Sequence, residues 1–197
     1  HIQPVPLPHF QRNLKQPFDA DVSVTAGLRR SLGLFVDATA LVPVADGVQA
    51  GAEAGMFTNR GLMLGPALRY AREDDTSSVT GSLRTGAIRD HGDRGVDLWG
   101  RPVSATRAYA EWLHAQTLAP GLDLTAQVNW WRDSEVIRDF RPRDFFAVQT
   151  PDSFLESVYA GQGWYASVFT RVQPNSFHRV QQRLPEFRFD LMPMALG

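Results

Sequence analysis

The sequence predicts an all-β fold, an antiparallel up-and-down meander of about ten long strands. Three observations lead there. Apolar and polar residues alternate with period two in run after run, which puts one set on each face of a strand. Clusters of turn-forming residues separate the runs. No long stretch carries the i, i+3, i+4, i+7 apolar stripe of an amphipathic helix.

The elements follow in chain order. Residues 1–19 contain Pro4, Pro6, Pro8 and Pro17 and read as an extended lead-in, because proline fixes φ and has no N–H to donate. A first strand is expected over 20–28. In the second, over 34–44, Leu34, Val36, Ala38, Ala40, Val42 and Val44 share a face opposite Asp37 and Thr39, and Ala45-Asp46-Gly47 turns the chain. The third, over 48–57, sets Val48, Ala50, Ala52, Ala54 and Met56 against Gln49, Gly51, Glu53 and Gly55, before the turn Thr58-Asn59-Arg60-Gly61. Leu62, Leu64, Pro66, Leu68 and Tyr70 make one face of a strand over 62–72, which the polar turn from Arg72 to Ser78 closes. Val79, Gly81 and Leu83 alternate with Thr80, Ser82 and Arg84 in a strand over 78–88.

A strand over 105–117 leads through Ala119-Pro120-Gly121 to the clearest alternation, over 122–132. There Leu122, Leu124, Ala126, Val128 and Trp130 oppose Asp123, Thr125, Gln127 and Asn129. A strand over 151–160 turns at Gly161-Gln162-Gly163 into one over 164–172, where Trp164, Ala166, Val168 and Thr170 alternate with Tyr165, Ser167, Phe169 and Arg171. The last strand is expected over 185–195. Three longer polar connections lie near 89–104, 133–150 and 173–184.

Most of these runs are about 9–12 residues long, nearly double the ~5–6 of an ordinary globular strand. They reach the ~9–11 residues that a tilted strand needs to cross a bilayer. From the fifth strand onward the connections run long, short, long, short, long. In an up-and-down sheet that order gathers long loops at one end and tight turns at the other, as in outer-membrane barrels. Residues 1–19 would then enter from the short-turn, periplasmic end. Soluble sandwiches and lipocalin-like barrels also use amphipathic antiparallel strands, so a soluble β-domain binding sugar or lipid is the alternative.

Composition narrows the function. The formal charge is −1, from 20 basic and 21 acidic residues, so no bulk field draws the chain to nucleic acid. There is no Cys, which excludes disulfides and Cys-based zinc or iron–sulfur sites. The longest apolar run, Ala40 to Ala45, includes Pro43 and falls far short of the ~20 residues of a membrane-spanning helix. The first residues show no signal peptide, so the chain reads as a mature or excised piece, or as a protein that stays in the cytoplasm.

Four stretches carry a family resemblance. Pro4-Val5-Pro6-Leu7-Pro8-His9-Phe10 resembles the Pro-Val-x-x-x-Pro-[Tyr/His]-Phe lead-in that precedes the barrel of the LPS-assembly proteins, the LptD or organic solvent tolerance family. Thr58-Asn59-Arg60-Gly61-Leu62-Met63-Leu64-Gly65, followed by Leu68-Arg69-Tyr70, resembles that family's Arg-Gly-Leu-x-Leu-Gly…Phe-Arg-Tyr hairpin. Asp133 with Arg138-Asp139-Phe140 is similar to its Asp…Tyr-Leu-x-Asp-Phe loop, with Val136-Ile137 in place of Tyr-Leu. Arg183-Leu184-Pro185-Glu186-Phe187 is similar to its Arg-Leu-Pro-Gln/Glu-aliphatic strand start. The four occur in the family's order across essentially the whole chain.

The resemblance implies insertion of lipopolysaccharide into the outer leaflet of the outer membrane of a Gram-negative-type bacterium. A periplasmic β-jellyroll would feed a barrel of ~26 strands that opens between its first and last strands. Residues 1–19 would be the tail of the lead-in from the periplasmic domain, and 20–197 a partial transmembrane barrel. The implied partners are lipopolysaccharide, an LptE-like plug lipoprotein and the periplasmic components of the lipopolysaccharide bridge. A generic outer-membrane channel is the runner-up.

Such a role makes and breaks no bonds. No nucleophile elbow, H-E-x-x-H, P-loop or G-x-G-x-x-G occurs, and no catalytic residue, metal site or cofactor is expected. Pro43, Gly27 and Gly33 are candidate gate-weakening residues, because Pro donates nothing to a ladder and Gly packs no side chain. Ordinary strand-end and turn roles explain them as well. Arg138, Arg141 and Arg143, interleaved with Phe140, Phe145 and Phe146, are candidate contacts to lipopolysaccharide phosphates. A structural loop folding its Phe side chains over the barrel mouth fits the same residues. The acidic run from Asp90 to Asp97 reads as a solvated loop, and His114 as a packed or lumen-lining residue. The five Trp residues read as interface-belt or lumen aromatics. Asn129, opposite the apolar face, is expected to tolerate Arg far better than Val128 does.

Overall fold

The computed structural model describes residues 20–147, 149–179 and 181–191. The expected lead-in, with its Pro4–Phe10 motif, and the far end of the tenth strand lie outside the described residues. Ten strands form: β1 (Asp21–Arg29), β2 (Gly33–Ala45), β3 (Val48–Phe57), β4 (Gly61–Glu73), β5 (Ser78–Arg89), β6 (Thr106–Ala119), β7 (Leu122–Trp131), β8 (Ser153–Ala160), β9 (Trp164–Val172) and β10 (Arg183–Leu191). They make a single sheet in sequence order, each antiparallel to its neighbours. The expected meander is therefore the observed fold, with β8 starting at Ser153 rather than 151 and β10 at Arg183 rather than 185.

One connection departs from expectation. The 133–150 loop folds into two short helices, α1 (Val136–Phe140) and α2 (Pro142–Ala147). Val136, Ile137 and Phe140 fall on one side of a single turn, and all three are buried. A five-residue element is too short to show a repeating stripe, which is why the periodicity misses it.

Register assigns the faces. On the apolar face, Leu28 pairs with Leu34, Met56 with Leu62, Leu68 with Leu83, Trp112 with Val128, and Tyr159 with Ala166. The opposite face brings Asp37, Glu53, Arg69, Arg84, Glu111 and Asn129 together. The sheet curls toward this second face. Asp21 on β1 accepts a hydrogen bond from Arg69 on β4 at 2.6 Å, and the Tyr109 hydroxyl on β6 donates to Glu53 on β3 at 2.5 Å. Strands three apart in a flat sheet stand ~14 Å from each other, so only pronounced curvature lets these side chains meet. Among the described residues β1 and β10 are not paired with each other, so the sheet stays open.

The polar face is thus concave and the apolar face convex. Small residues make the curl possible. A Cβ on Gly86 would lie 2.5 Å from the Tyr109 ring, which covers that position. On β4, pairing to β5 lapses at Gly65 and Pro66, and the Thr85 hydroxyl donates to the Pro66 carbonyl at 2.8 Å in place of the missing ladder bond.

Burial runs opposite to the habit of a soluble sheet. The convex apolar face is the exposed one: Leu28 is 71% exposed, Leu62 55% and Phe189 62%. Among the described residues, the convex positions of the ten strands carry no Asp or Glu. The densest packing lies on the concave side at the long-loop end, where Leu32, Phe57, Met63, Ile88, Tyr109, Trp131, Val136, Ile137 and Phe140 form one cluster. The connections sort as expected, with 90–105, 132–152 and 173–182 at one end and the tight turns 46–47, 120–121 and 161–163 at the other.

His114 belongs to the convex face rather than the lumen side. Its Nδ1 lies 2.7 Å from the Tyr70 hydroxyl, which also accepts from the Trp112 indole N–H at 3.2 Å. The Trp residues divide: Trp112, Trp130 and Trp164 are convex, Trp131 is buried on the concave side, and Trp99 is in a loop.

Candidate functional site

The long-loop end of the concave face holds a buried ionic centre. Arg60, in the β3–β4 turn, donates from Nε and Nη2 to the two oxygens of Asp90 at 2.7 and 2.6 Å, and from Nη2 to Asp139 at 3.1 Å. Arg107, at the start of β6, donates to Asp133 through Nε and Nη2 at 3.1 and 2.7 Å. Its Nη1 donates to Asp139 at 2.6 Å and Asp90 at 3.2 Å. The Arg107 and Asp90 side chains are both fully buried. Both guanidinium groups lie over the ring of Phe140, 5.2 and 5.1 Å from its centroid.

Each part has a local reason. The Arg60 amide bonds the Phe57 carbonyl and its own carbonyl accepts from His91, so the turn and the loop after β5 are tied together. Asp133 also accepts from the Glu135 N–H at 3.0 Å, which starts the turn leading into α1. Asp139 and Phe140 then come off α1 toward the two arginines. The centre therefore fastens the 133–150 connection to β3, β4, β5 and β6.

A second cluster adjoins it. Glu53 accepts from the Tyr109 hydroxyl and pairs with Arg84. Arg141 donates to Glu111 at 2.6 Å and, through Nε, to Asp144 at 2.7 Å, and lies 5.0 Å from the Tyr109 ring centroid. The two clusters turn the concave face at this end into a closed polar network capped by α1 and α2.

Burial pushes the Asp90 carboxyl up. The hydrogen bonds and charge of Arg60, the Gly92 N–H and Arg107 outweigh it and hold Asp90 below the ordinary carboxylate range. A group whose folded value is depressed contributes stability above its unfolded value, near ~3.9 for Asp, and loses it as pH falls through the folded value. Acidification from about pH 4 downward should release the 133–150 connection before the strands separate. Limited proteolysis of that connection against pH checks this. Unchanged cleavage down to the pH at which the sheet itself unfolds would contradict it.

The expected site residues are placed as follows. Arg141 is buried and satisfied by Glu111 and Asp144, with these charges holding it protonated against the cost of burial. Arg138 is half exposed and pairs with Glu135 one turn earlier. Arg143 is exposed on α2. The three do not converge on one spot. Phe140 and Phe145 fold against the cluster over the concave face, while Phe146 is 69% exposed.

Gly33 sits in the left-handed region at φ 73°, and a Cβ there would lie 2.0 Å from the Thr58 hydroxyl, so the tight β1–β2 turn requires it. A Cβ on Gly27 would lie 2.9 Å from the Phe35 ring, which covers that position. Pro43 pairs with Gln49 of β3 beside a register shift, two residues past Leu41, the last partner of β1.

The solvated reading of the acidic loop fails at Asp90, which is the buried hub. Arg107 and Glu111 were not singled out by the sequence. Their one signal is charge on the inward positions of β6, alternating with Ala108, Ala110 and Trp112. Among the described residues no group of His, Asp and Glu has the arrangement of a metal site.

Fold and site together define an open, curled, all-antiparallel sheet with a loop-borne ionic lid, an architecture compatible with a β-barrel membrane protein. No protein-family model matches the chain, and no curated protein matches it.

Proposed function

We propose that this chain is part of the wall of an outer-membrane β-barrel that inserts lipopolysaccharide into the outer leaflet, acting with a plug lipoprotein and periplasmic bridge components. The observation that carries the membrane part is the inverted burial: the convex face is apolar and exposed, and the concave face is polar and cross-linked by ion pairs. Hydrocarbon suits the first and a wet lumen the second. Strands of 9 to 14 residues are long enough to cross, apart from the eight-residue β8.

Support for the lipopolysaccharide part comes from the quoted motifs. Arg60 of the hairpin motif and Asp133, Asp139 and Phe140 of the loop motif lie far apart in sequence and meet in one buried centre. The reading takes these motif residues to act as one unit. The role needs no catalytic group. An apolar wall, a polar lumen and a seam that parts are sufficient.

A generic channel is the second reading. An open polar recess of about 330 Å³ on the concave face, lined by Asp21, Ser23, Thr39, Glu53, Arg69 and Arg84, favours it. Depleting the full-length protein in its source bacterium separates the two. Insertion predicts that newly made, labelled lipopolysaccharide stops reaching the cell surface while uptake of small solutes is unchanged. Unchanged surface arrival with reduced uptake would favour the channel.

A soluble β-domain is tested by size-exclusion chromatography with light scattering. In detergent-free buffer the chain should associate, because among the described residues its Leu, Val and Ala face and its two strand edges have no partner. A stable 22 kDa monomer there would overturn the membrane reading.

A further inference from the structure

We infer that Arg89 and Arg132 form a docking site on the outer wall for the phosphorylated headgroup of a membrane lipid. The inference rests on the membrane-wall reading above and adds a ligand to it. Arg89 is the last residue of β5 and pairs with Thr106 of β6. Alternation from Leu83 and Ala87 puts its side chain on the convex face, and it is exposed. Arg132 is the first residue after β7, and its N–H still bonds the Ala108 carbonyl of β6 at 2.9 Å. Trp131 points to the concave side, so Arg132, also exposed, points outward.

The two arginines flank β6, whose outward residues between them are Thr106 and Ala108. Small side chains there put no bulk between the two arginines. Neither arginine has an ion pair among the described residues, in contrast to Arg60, Arg84, Arg107 and Arg141 of the concave side. The convex strand positions supply no carboxylate to neutralise them.

Position sets the ligand. Below the pair, Leu64, Ala87, Ala110 and Trp130 continue the apolar face, as a lipid's acyl chains require. The arginines stand at the boundary between that face and the long loops, the depth at which headgroup phosphates lie. A guanidinium fork matches a phosphate in charge and geometry. The short-turn end differs: Arg72, the basic residue there on the convex side, pairs with Asp74 and lies near Glu73 and Asp75. The site thus belongs to one leaflet, the one at the long-loop end.

The test uses the full-length protein in nanodiscs and measures binding of a phosphorylated glycolipid, its dephosphorylated form and inorganic phosphate. The phosphorylated lipid should bind at least about tenfold more tightly than the dephosphorylated one, and R89Q/R132Q should lose on the order of tenfold. R72Q should bind as the natural protein does, and millimolar inorganic phosphate should not compete. Equal loss with R72Q, or full binding by R89Q/R132Q, overturns the site. Competition by inorganic phosphate at the lipid's own affinity overturns the lipid as its source. Quenching of tryptophan fluorescence by acyl-chain-brominated lipid is read in the same samples. Quenching together with failed phosphate selectivity sinks this inference alone, whereas absent quenching sinks the membrane wall on which it rests.

Discussion

Arg107→Ala should cost about 3–5 kcal/mol of folding stability, because it strips the compensating charge from buried carboxylates rather than merely deleting a contact. Asp133 loses two bonds to this guanidinium and Asp139 one, and Asp90 keeps Arg60 and the Gly92 N–H. Phe140 loses one of the two cations that hold its ring. The matched control is Arg143→Ala, which removes an exposed arginine from the same connection and should cost less than about 1 kcal/mol. Arg60→Ala should resemble Arg107→Ala, and the double variant should cost less than the sum, since both serve Asp90 and Asp139. Urea unfolding in lipid vesicles provides the comparison. Similar small losses for Arg107→Ala and Arg143→Ala would mean that the centre does not hold the loop end together.

The second large effect concerns the solvent of the convex face. Val128 lies outward on β7 opposite Trp112, and is 37% exposed. If that face meets hydrocarbon, Val128→Arg should cost ~2–4 kcal/mol near the bilayer midplane. The control cannot be the neighbouring Asn129, which from sequence alone looks like a tolerant lumen position. Its amide donates to the Asp152 carbonyl at 3.0 Å, its carbonyl accepts from Asn175 at 2.7 Å, and its N–H bonds the Ser153 hydroxyl. Arg there would break a buried set of bonds. Thr125 is also concave but exposed, and Thr125→Arg should cost well under ~1 kcal/mol. Refolding equilibria of the two variants into vesicles decide the matter, and equal costs would argue against a lipid-facing wall.

The strands were legible because their period is short and repeated. From Leu122 to Trp131 every second residue changes character, and a strand so written has one register that keeps its faces intact. The turns were legible through Asp46-Gly47, Asn59-Arg60-Gly61 and Pro120-Gly121. The ionic centre was not, because its members are contributed by a turn, two loops and a strand start. Arg60 looks like any turn arginine until β3, β4 and the loop after β5 are paired, and Asp90 looks like the first of several solvated acids. Nothing local marks it as the one that faces two guanidinium groups. The helices were hidden for a different reason, since Val136, Ile137 and Phe140 make a buried turn too short to repeat. Arg138 and Arg141 illustrate the same limit: three residues apart on a basic loop, one is half exposed and the other buried and paired, a difference fixed by Glu111 on a distant strand.

These 197 residues carry no cysteine, and the most direct test of the wall is a single-cysteine scan of β7. Each position from Leu122 to Trp131 is replaced in turn in the full-length protein, with any cysteine outside these residues changed to serine, labelled with an environment-sensitive fluorophore, and exposed to a lipid-dissolved and a water-soluble quencher. Labels at Leu124, Val128 and Trp130 should be quenched from the lipid, and labels at Asp123, Thr125 and Gln127 from water. Water-quenching at the first set, or no alternation between the two, would contradict a convex face in contact with lipid.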